Sequence, residues 1–271
     1  MSEELLRRIA DALERLAPPT SQPADLEVHA AYHWDGLSLA AVTSFDPLPD
    51  SLIVGVDRQK QAITENSRRH AQGHAAHDVL LWGARGMGKS ALVKSTVAAV
   101  QAEGGTVCLV EAACDELERL PDLFALLARD ARPAIVFIDD MGFEQGDPQM
   151  RHIRSVLDGG ISARPGHVRL YVTANRRHIV PRNLEEQSSA INPRDAVDDN
   201  LALADRFGLS LGFHACTQDV WLEMVAGYAK KLGLSFDPQD ALTWATQRGA
   251  RSGRIAWHYA VELAGRAGKK I

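Results

Sequence analysis

The sequence predicts an α/β fold, a five-stranded parallel sheet with helices on both faces, followed by a small α-helical domain. Three observations carry that expectation. Gly83-Ala84-Arg85-Gly86-Met87-Gly88-Lys89-Ser90 fills every fixed position of G-x-x-x-x-G-K-[ST], between a short apolar run of strand type, Asp78 to Trp82, and a helical run from Ser90 to Val100 without Gly or Pro. Ala134-Ile135-Val136-Phe137-Ile138 is a continuous apolar run, as in a strand buried on both faces, and ends in Asp139-Asp140. After Thr217 only helical patterns remain, around Val220 to Leu232, Pro238 to Gln247 and Gly253 to Ala267.

Length and composition agree with a core of this size. At 271 residues the chain accommodates one α/β core and a small companion domain. Cys108, Cys114 and Cys216 form no C-x-x-C pair, so buried thiols in a reducing cytoplasm are expected. No apolar run reaches the ~20 residues that cross a bilayer, which predicts a soluble, unexported protein without a membrane partner. Three Arg against nine Asp and Glu give residues 1–50 a net charge of −6, while the remaining 27 basic and 26 acidic residues give +1. Nucleic-acid binding is neither indicated nor excluded: Arg68-Arg69, Arg176-Arg177 and Lys269-Lys270 could form a basic rim, but solvated surface explains them more simply.

In chain order, Leu5, Leu6, Ile9, Leu13 and Leu16 stand at helical spacing, giving an N-terminal amphipathic helix over 1–17, followed by a linker and accessory segment over 18–50. Residues 26–50 suggest no role. A helix is expected between Val56 and Gly73; His70, His74 and His77 in and beyond it are read as solvated or packed rather than as metal ligands. In the glycine loop several N–H groups can turn toward one anion at a helix N-terminus, Lys89 can reach the β- and γ-phosphates, and Ser90 can ligate Mg²⁺. Thr106 to Val110 reads as a second strand, with a helix from Pro121 burying Leu123, Phe124 and Leu127. The third strand delivers Asp139, expected to hold Mg²⁺, and Asp140, expected to orient or deprotonate the attacking water. A helix near Met150 to Leu157 precedes a fourth strand, Val168 to Ala174, which delivers Asn175 as a γ-phosphate contact. Residues 183–200 read as a surface loop, and a fifth strand lies near residue 210.

The order of parts, Gly83 to Ser90, then Phe137-Ile138-Asp139-Asp140, Asn175-Arg176-Arg177-His178, Asp205-Arg206-Phe207-Gly208 and Ser252-Gly253-Arg254, resembles the AAA+ P-loop ATPases. It looks like a little-characterised bacterial ATP-binding group of them, with unknown function. The resemblance runs from about Leu52 to Gly265. It implies an AAA+ ATP-binding α/β domain over 51–216 with strand order 5-1-4-3-2, and a helical lid domain over 217–271. It also implies ATP contacts from Val54, Gly55 and the run Gly83 to Ala91, that is Gly83, Ala84, Arg85, Gly86, Met87, Gly88, Lys89, Ser90 and Ala91. Asn175 matches the sensor-1 position, Arg206 the arginine finger acting on a neighbouring subunit, and Arg254 the sensor-2 arginine. The competing reading of Arg206 is a surface salt bridge to Asp205, and Arg248 and Arg251 compete with Arg254.

Two departures from the family pattern matter. The second Walker B acid is usually Glu, so Asp140 is one methylene short, and Glu144 is a substitute base. The segment Glu111 to Leu117 carries no aromatic residue, which argues against a polypeptide-threading motor. The function so implied is Mg²⁺-dependent ATP binding and hydrolysis by a homo-oligomer, a hexameric ring among its forms, that remodels or loads an unknown protein client or regulator. A slow or non-hydrolysing ATP-dependent assembly switch and a P-loop kinase remain as alternatives.

Overall fold

In a computed structural model the described residues are 26, 28–142, 148–159, 164–175 and 205–271. The expected N-terminal helix, Glu144, Arg176 to His178 and the 183–200 loop lie outside them.

Alternating burial builds the sheet. In β3 (Val79–Gly83), Val79 and Leu81 join one apolar cluster and Leu80 the other. The same alternation separates Ile135 and Phe137 from Val136 and Ile138 in β5 (Ala134–Met141), and Tyr171 from Leu170 and Val172 in β6 (Val168–Asn175). Burial on both faces is why Val79 to Trp82 and Ala134 to Ile138 carry no polar alternation. With β4 (Cys108–Ala112) and β7 (Leu209–Phe213) they pair in parallel.

The five-stranded expectation is corrected. Among the described residues the sheet has seven strands in the order β2-β1-β4-β5-β6-β3-β7, because β1 (Ala31–Trp34) adds to β4 in parallel and β2 (Leu39–Ala41) pairs antiparallel to β1. Inside that order the five expected strands stand as β7-β3-β6-β5-β4. The hairpin turns where Asp35 Oδ1 accepts the N–H groups of Leu37 and Ser38 at 2.9 and 2.7 Å, contacts that hold its carboxyl below the usual range. Gly36 supplies φ 89° there. Strands of four and three residues are too short for periodicity to announce them.

The helices α1 (Asp57–Ala71) and α2 (Lys89–Ala102) cover one face of the sheet; Ile63, Leu92, Val93 and Val97 are fully buried in its cluster. Against the other face pack Leu123, Phe124 and Leu127 of α3 (Leu120–Leu127) and Ile153 of α4 (Pro148–Leu157). Three further helices follow β7: α5 (Gln218–Leu232), α6 (Pro238–Gln247) and α7 (Gly253–Arg266). Each begins on a side-chain cap, Thr217, Asp237 and Ser252 respectively, that accepts a first-turn N–H. The three tryptophans of these helices are expected in their core from the sequence; Trp221 and Trp244 are there, whereas Trp257 lies 38% exposed in T-shaped contact with Tyr228, which corrects that expectation.

His70 is packed, and its imidazole meets the Ala134 carbonyl at 3.0 Å. Burial pushes its pKa down to about 4. Among the described residues no three or more His, Cys, Asp or Glu are grouped to hold a metal ion, and no helix is long and apolar enough to cross a membrane. Two of the three basic pairs have partners inside the chain: Arg68 binds Glu103 through two bonds of 2.5 and 2.6 Å, and Lys269 donates to the Leu232 and Gly233 carbonyls.

Candidate functional site

The candidate site is assembled where β3 and β5 end beside the start of α2. Gly83, Gly86 and Gly88 adopt φ of 135°, 74° and 85°, which a side chain would strain, and so the chain can coil tightly between β3 and α2. A Cβ at Gly83 would overlap the Phe213 carbonyl of β7, so this glycine also answers to packing. The first helical bond of α2 runs from Leu92 N to Gly88 O at 2.8 Å, which leaves the N–H groups of Lys89, Ser90 and Ala91 ahead of it as donors at the positive end of the helix dipole.

Lys89 is 7% exposed and folds back on the loop, with Nζ 3.0 Å from the carbonyls of Gly83 and Ala84 and 3.5 Å from Asn175 Oδ1. Burial lowers its pKa, opposed by the charges of Asp140 and Asp139. Ser90 Oγ donates to Asp139 Oδ1 at 2.6 Å, bridging the loop and β5. These are donors for phosphate oxygens beside a hydroxyl and a carboxylate suited to a hard cation, so the residues present fit a Mg²⁺–nucleotide.

The end of β5 is irregular. Pairing with β6 runs regularly to Ile138↔Val172 and resumes at Met141↔Ala174, and between them Asp140 takes φ 56°, the single positive φ at a non-glycine among the described residues. This bulge turns Asp140 out of the ladder. Its carboxylate is 60% exposed, accepts from Asn175 Nδ2 and faces Arg85 at 3.6 Å. Sequence reasoning missed the residue that ties this corner together. Thr173, 1% exposed, donates its hydroxyl to Asp139 Oδ1 at 2.5 Å and accepts the Asp140 N–H at 2.8 Å. The sequence offered only its place, two residues before Asn175 and therefore on the same face of the strand.

The other expected residues stand further out. Gly86 abuts the start of α7: its carbonyl accepts the Arg254 N–H at 3.3 Å, and a Cβ on it would stand 2.9 Å from Ser252 Oγ. Arg254 therefore meets the loop through its backbone, while the residue is exposed. Gly55, at φ 78°, is packed against Val220 of α5, with Val54 half-buried beside it. Arg206 is engaged away from the corner. Its Nε donates to Asp158 Oδ1 at 2.6 Å, just after α4, a bond that raises the guanidinium pKa.

Solved structures with this arrangement of sheet and helices include Thermotoga maritima RuvB, a Holliday junction branch migration motor, at 16% identity over 83% of this chain and 68% of that chain, TM-score 0.52. A point-substituted form of the same RuvB gives 18% identity, the same coverages and TM-score 0.55. The Aeropyrum pernix ORC1 protein in complex with DNA gives 16% identity over 83% of this chain and 66% of that one, TM-score 0.56. The chain thus spans about two thirds of their length. These neighbours are AAA+ P-loop ATPases, and the likeness is one of fold, an α/β architecture on a parallel sheet. No curated protein sequence matches the chain. Residues 27–267 match the family described as "Protein of unknown function (DUF815)".

Proposed function

The chain belongs to the DUF815 family of proteins of unknown function, and from that premise we propose that it binds ATP with Mg²⁺ and hydrolyses it as a self-associating AAA+ ATPase. The observation that carries the reading is the 2.6 Å bond between Ser90 and Asp139, which brings a strand-end carboxylate onto the serine of a phosphate-binding loop. Bound Mg²⁺ would supply charge neutralisation across the β- and γ-phosphates. Ser90 and Asp139 would hold it, and the N–H groups from Gly86 to Ala91 with Lys89 would bind phosphate oxygens. Lys89 would exchange the Gly83 and Ala84 carbonyls for phosphate. Asp140 would orient a water or take its proton, and Asn175 would position that water. Val54 and Gly55 would border the base, and Arg254 would link the helices after β7, a lid over residues 217–271, to the phosphate loop.

Arg206 of one subunit would complete the site of the next. Such arginines contribute roughly 10³–10⁵ in rate in related phosphoryl transfers. The work done is remodelling or loading of a protein partner, in the cytoplasm. ATP turnover per chain, followed against protein concentration, tests the reading. Specific activity that rises with concentration and disappears in Lys89→Ala supports it; a wild-type chain that neither binds nor hydrolyses ATP overturns it.

A second reading is favoured by one observation. Asp140 is shorter than the usual Glu, lies in strained backbone, and is held by Asn175 and Arg85. A slow or non-hydrolysing ATP-dependent assembly switch follows from a base so constrained, and assembly on ATP with negligible turnover would distinguish it.

A further inference from the structure

We propose that Thr173 is the positioning residue that sets the two carboxylates at the end of β5 to their separate tasks. The inference rests on the Mg²⁺–ATP reading of this corner and assigns a residue that the motifs leave out.

Position comes first. Thr173 lies in β6, between Val172, which pairs with Ile138, and Ala174, which pairs with Met141. It thus stands opposite the register break that contains Asp139 and Asp140. Ladder bonds cannot continue through a bulge, so the Asp140 N–H needs an acceptor from elsewhere. The Thr173 hydroxyl is that acceptor, at 2.8 Å. Its proton is committed in the opposite direction, to Asp139 Oδ1 at 2.5 Å. One buried hydroxyl therefore has its donor and one acceptor site filled by two consecutive residues of the neighbouring strand.

Each bond has a distinct consequence. Donation to Asp139 fixes the carboxylate in rotation. Ser90 also donates to the same oxygen, but in the proposed complex Ser90 holds the cation, whereas Thr173 is buried and continues to orient the carboxylate. Acceptance from Asp140 supports a φ of 56°, a left-handed conformation that persists at a non-glycine residue only where its surroundings enforce it. Thr173 itself is 1% exposed and acts through the two acids rather than on the nucleotide. Groups that orient metal-holding side chains typically change metal affinity or activity by roughly 10–100-fold when removed.

The test uses the full chain. Thr173→Val keeps the volume and removes both bonds; Thr173→Ser keeps the hydroxyl. The readouts are the Mg²⁺ concentration at half-maximal ATP turnover, kcat and KM for ATP, and the melting temperature. Thr173→Val is expected to raise the Mg²⁺ midpoint and lower kcat, each by about 10-fold or more, with KM changed far less, and Thr173→Ser to restore both within about threefold. A merely structural role would lower the melting temperature and leave the midpoint alone. Should Thr173→Val not fold, Thr173→Ala is read in the same way. Asp139→Asn runs alongside: if it leaves the Mg²⁺ dependence unchanged, the reading of the whole corner fails. If Asp139→Asn abolishes that dependence while the folded Thr173 variant matches wild type, the Thr173 inference alone is overturned.

Discussion

Asp140 combines a demanding backbone with an exposed carboxylate. Asn tolerates the left-handed region better than other substitutes, so Asp140→Asn preserves the corner while removing the basic oxygen. ATP binding by Asp140→Asn is expected to stay within a few-fold of wild type while turnover falls roughly 10²–10⁴-fold, as for loss of a general base. Nucleotide titration beside a phosphate-release assay reads both quantities, and undiminished turnover would remove Asp140 as the base. His70 presents a different residue-scale consequence. Its pKa falls from 6.5 to about 4 on burial, so between those values the unfolded chain binds a proton that the folded chain does not. Stability is therefore fully present above about pH 6.5 and declines as pH falls toward 4, by on the order of 3 kcal/mol for this group. His70→Gln can still donate to Ala134, and its melting temperature should vary less between pH 7 and pH 4.5. An identical acid slope in the variant would show that other groups set it.

At the scale of elements, the approach to the site depends on how β3 and β6 are fastened together. Asp78, one residue before β3, accepts two bonds of 2.7 Å from Arg164 and a third of 2.8 Å from Leu170 N in β6. Both partners are mostly covered, with side chains 12% and 18% exposed. Arg164→Ala would leave a largely buried carboxylate short of its main partner, and a loss of about 2 kcal/mol is expected in urea unfolding. A change within error would mean that the pair contributes only as an exposed bridge does. The buried contacts of Tyr171 give a parallel tie to α1: its hydroxyl lies 2.8 Å from Ser67 and 3.0 Å from Asn66, and burial pushes its pKa up to about 12. These ties hold β3 beside β6, and with them Gly83 beside Asn175. The Gly86 carbonyl, which accepts the Arg254 N–H, then joins the loop to α7.

For the whole molecule, the reading stands on whether subunits complete one another. Equal mixtures of Arg206→Ala and Lys89→Ala are expected to regain part of the turnover that each lacks alone, because one chain keeps its phosphate loop and the other its arginine. Activity that is independent of concentration, with Arg206→Ala silent, would leave Arg206 as the partner of Asp158 and move the protein to a monomeric P-loop enzyme or a nucleotide-binding switch. Arg206 and Asp158 are each near the surface, so their bond carries little stability and can be exchanged for another anion at small cost.

The sequence by itself determined what is local and periodic. Gly83 to Ser90 demands a loop of positive φ between a strand and a helix, and the apolar runs at 79, 108 and 134 are buried on both faces and so carry no polar alternation. Helices after Thr217 are written in their caps. Only the tertiary structure decided what depends on partners distant in the chain. The four- and three-residue strands β1 and β2 exist because β4 offers an edge for β1 to pair with. Trp257 lies at the surface although its neighbours Trp221 and Trp244 are core. Thr173 becomes informative only once β6 pairs with the bulge in β5. A hydroxyl's role is fixed by which donors and acceptors face it across 33 and 34 residues of chain, and spacing along one strand does not contain that information.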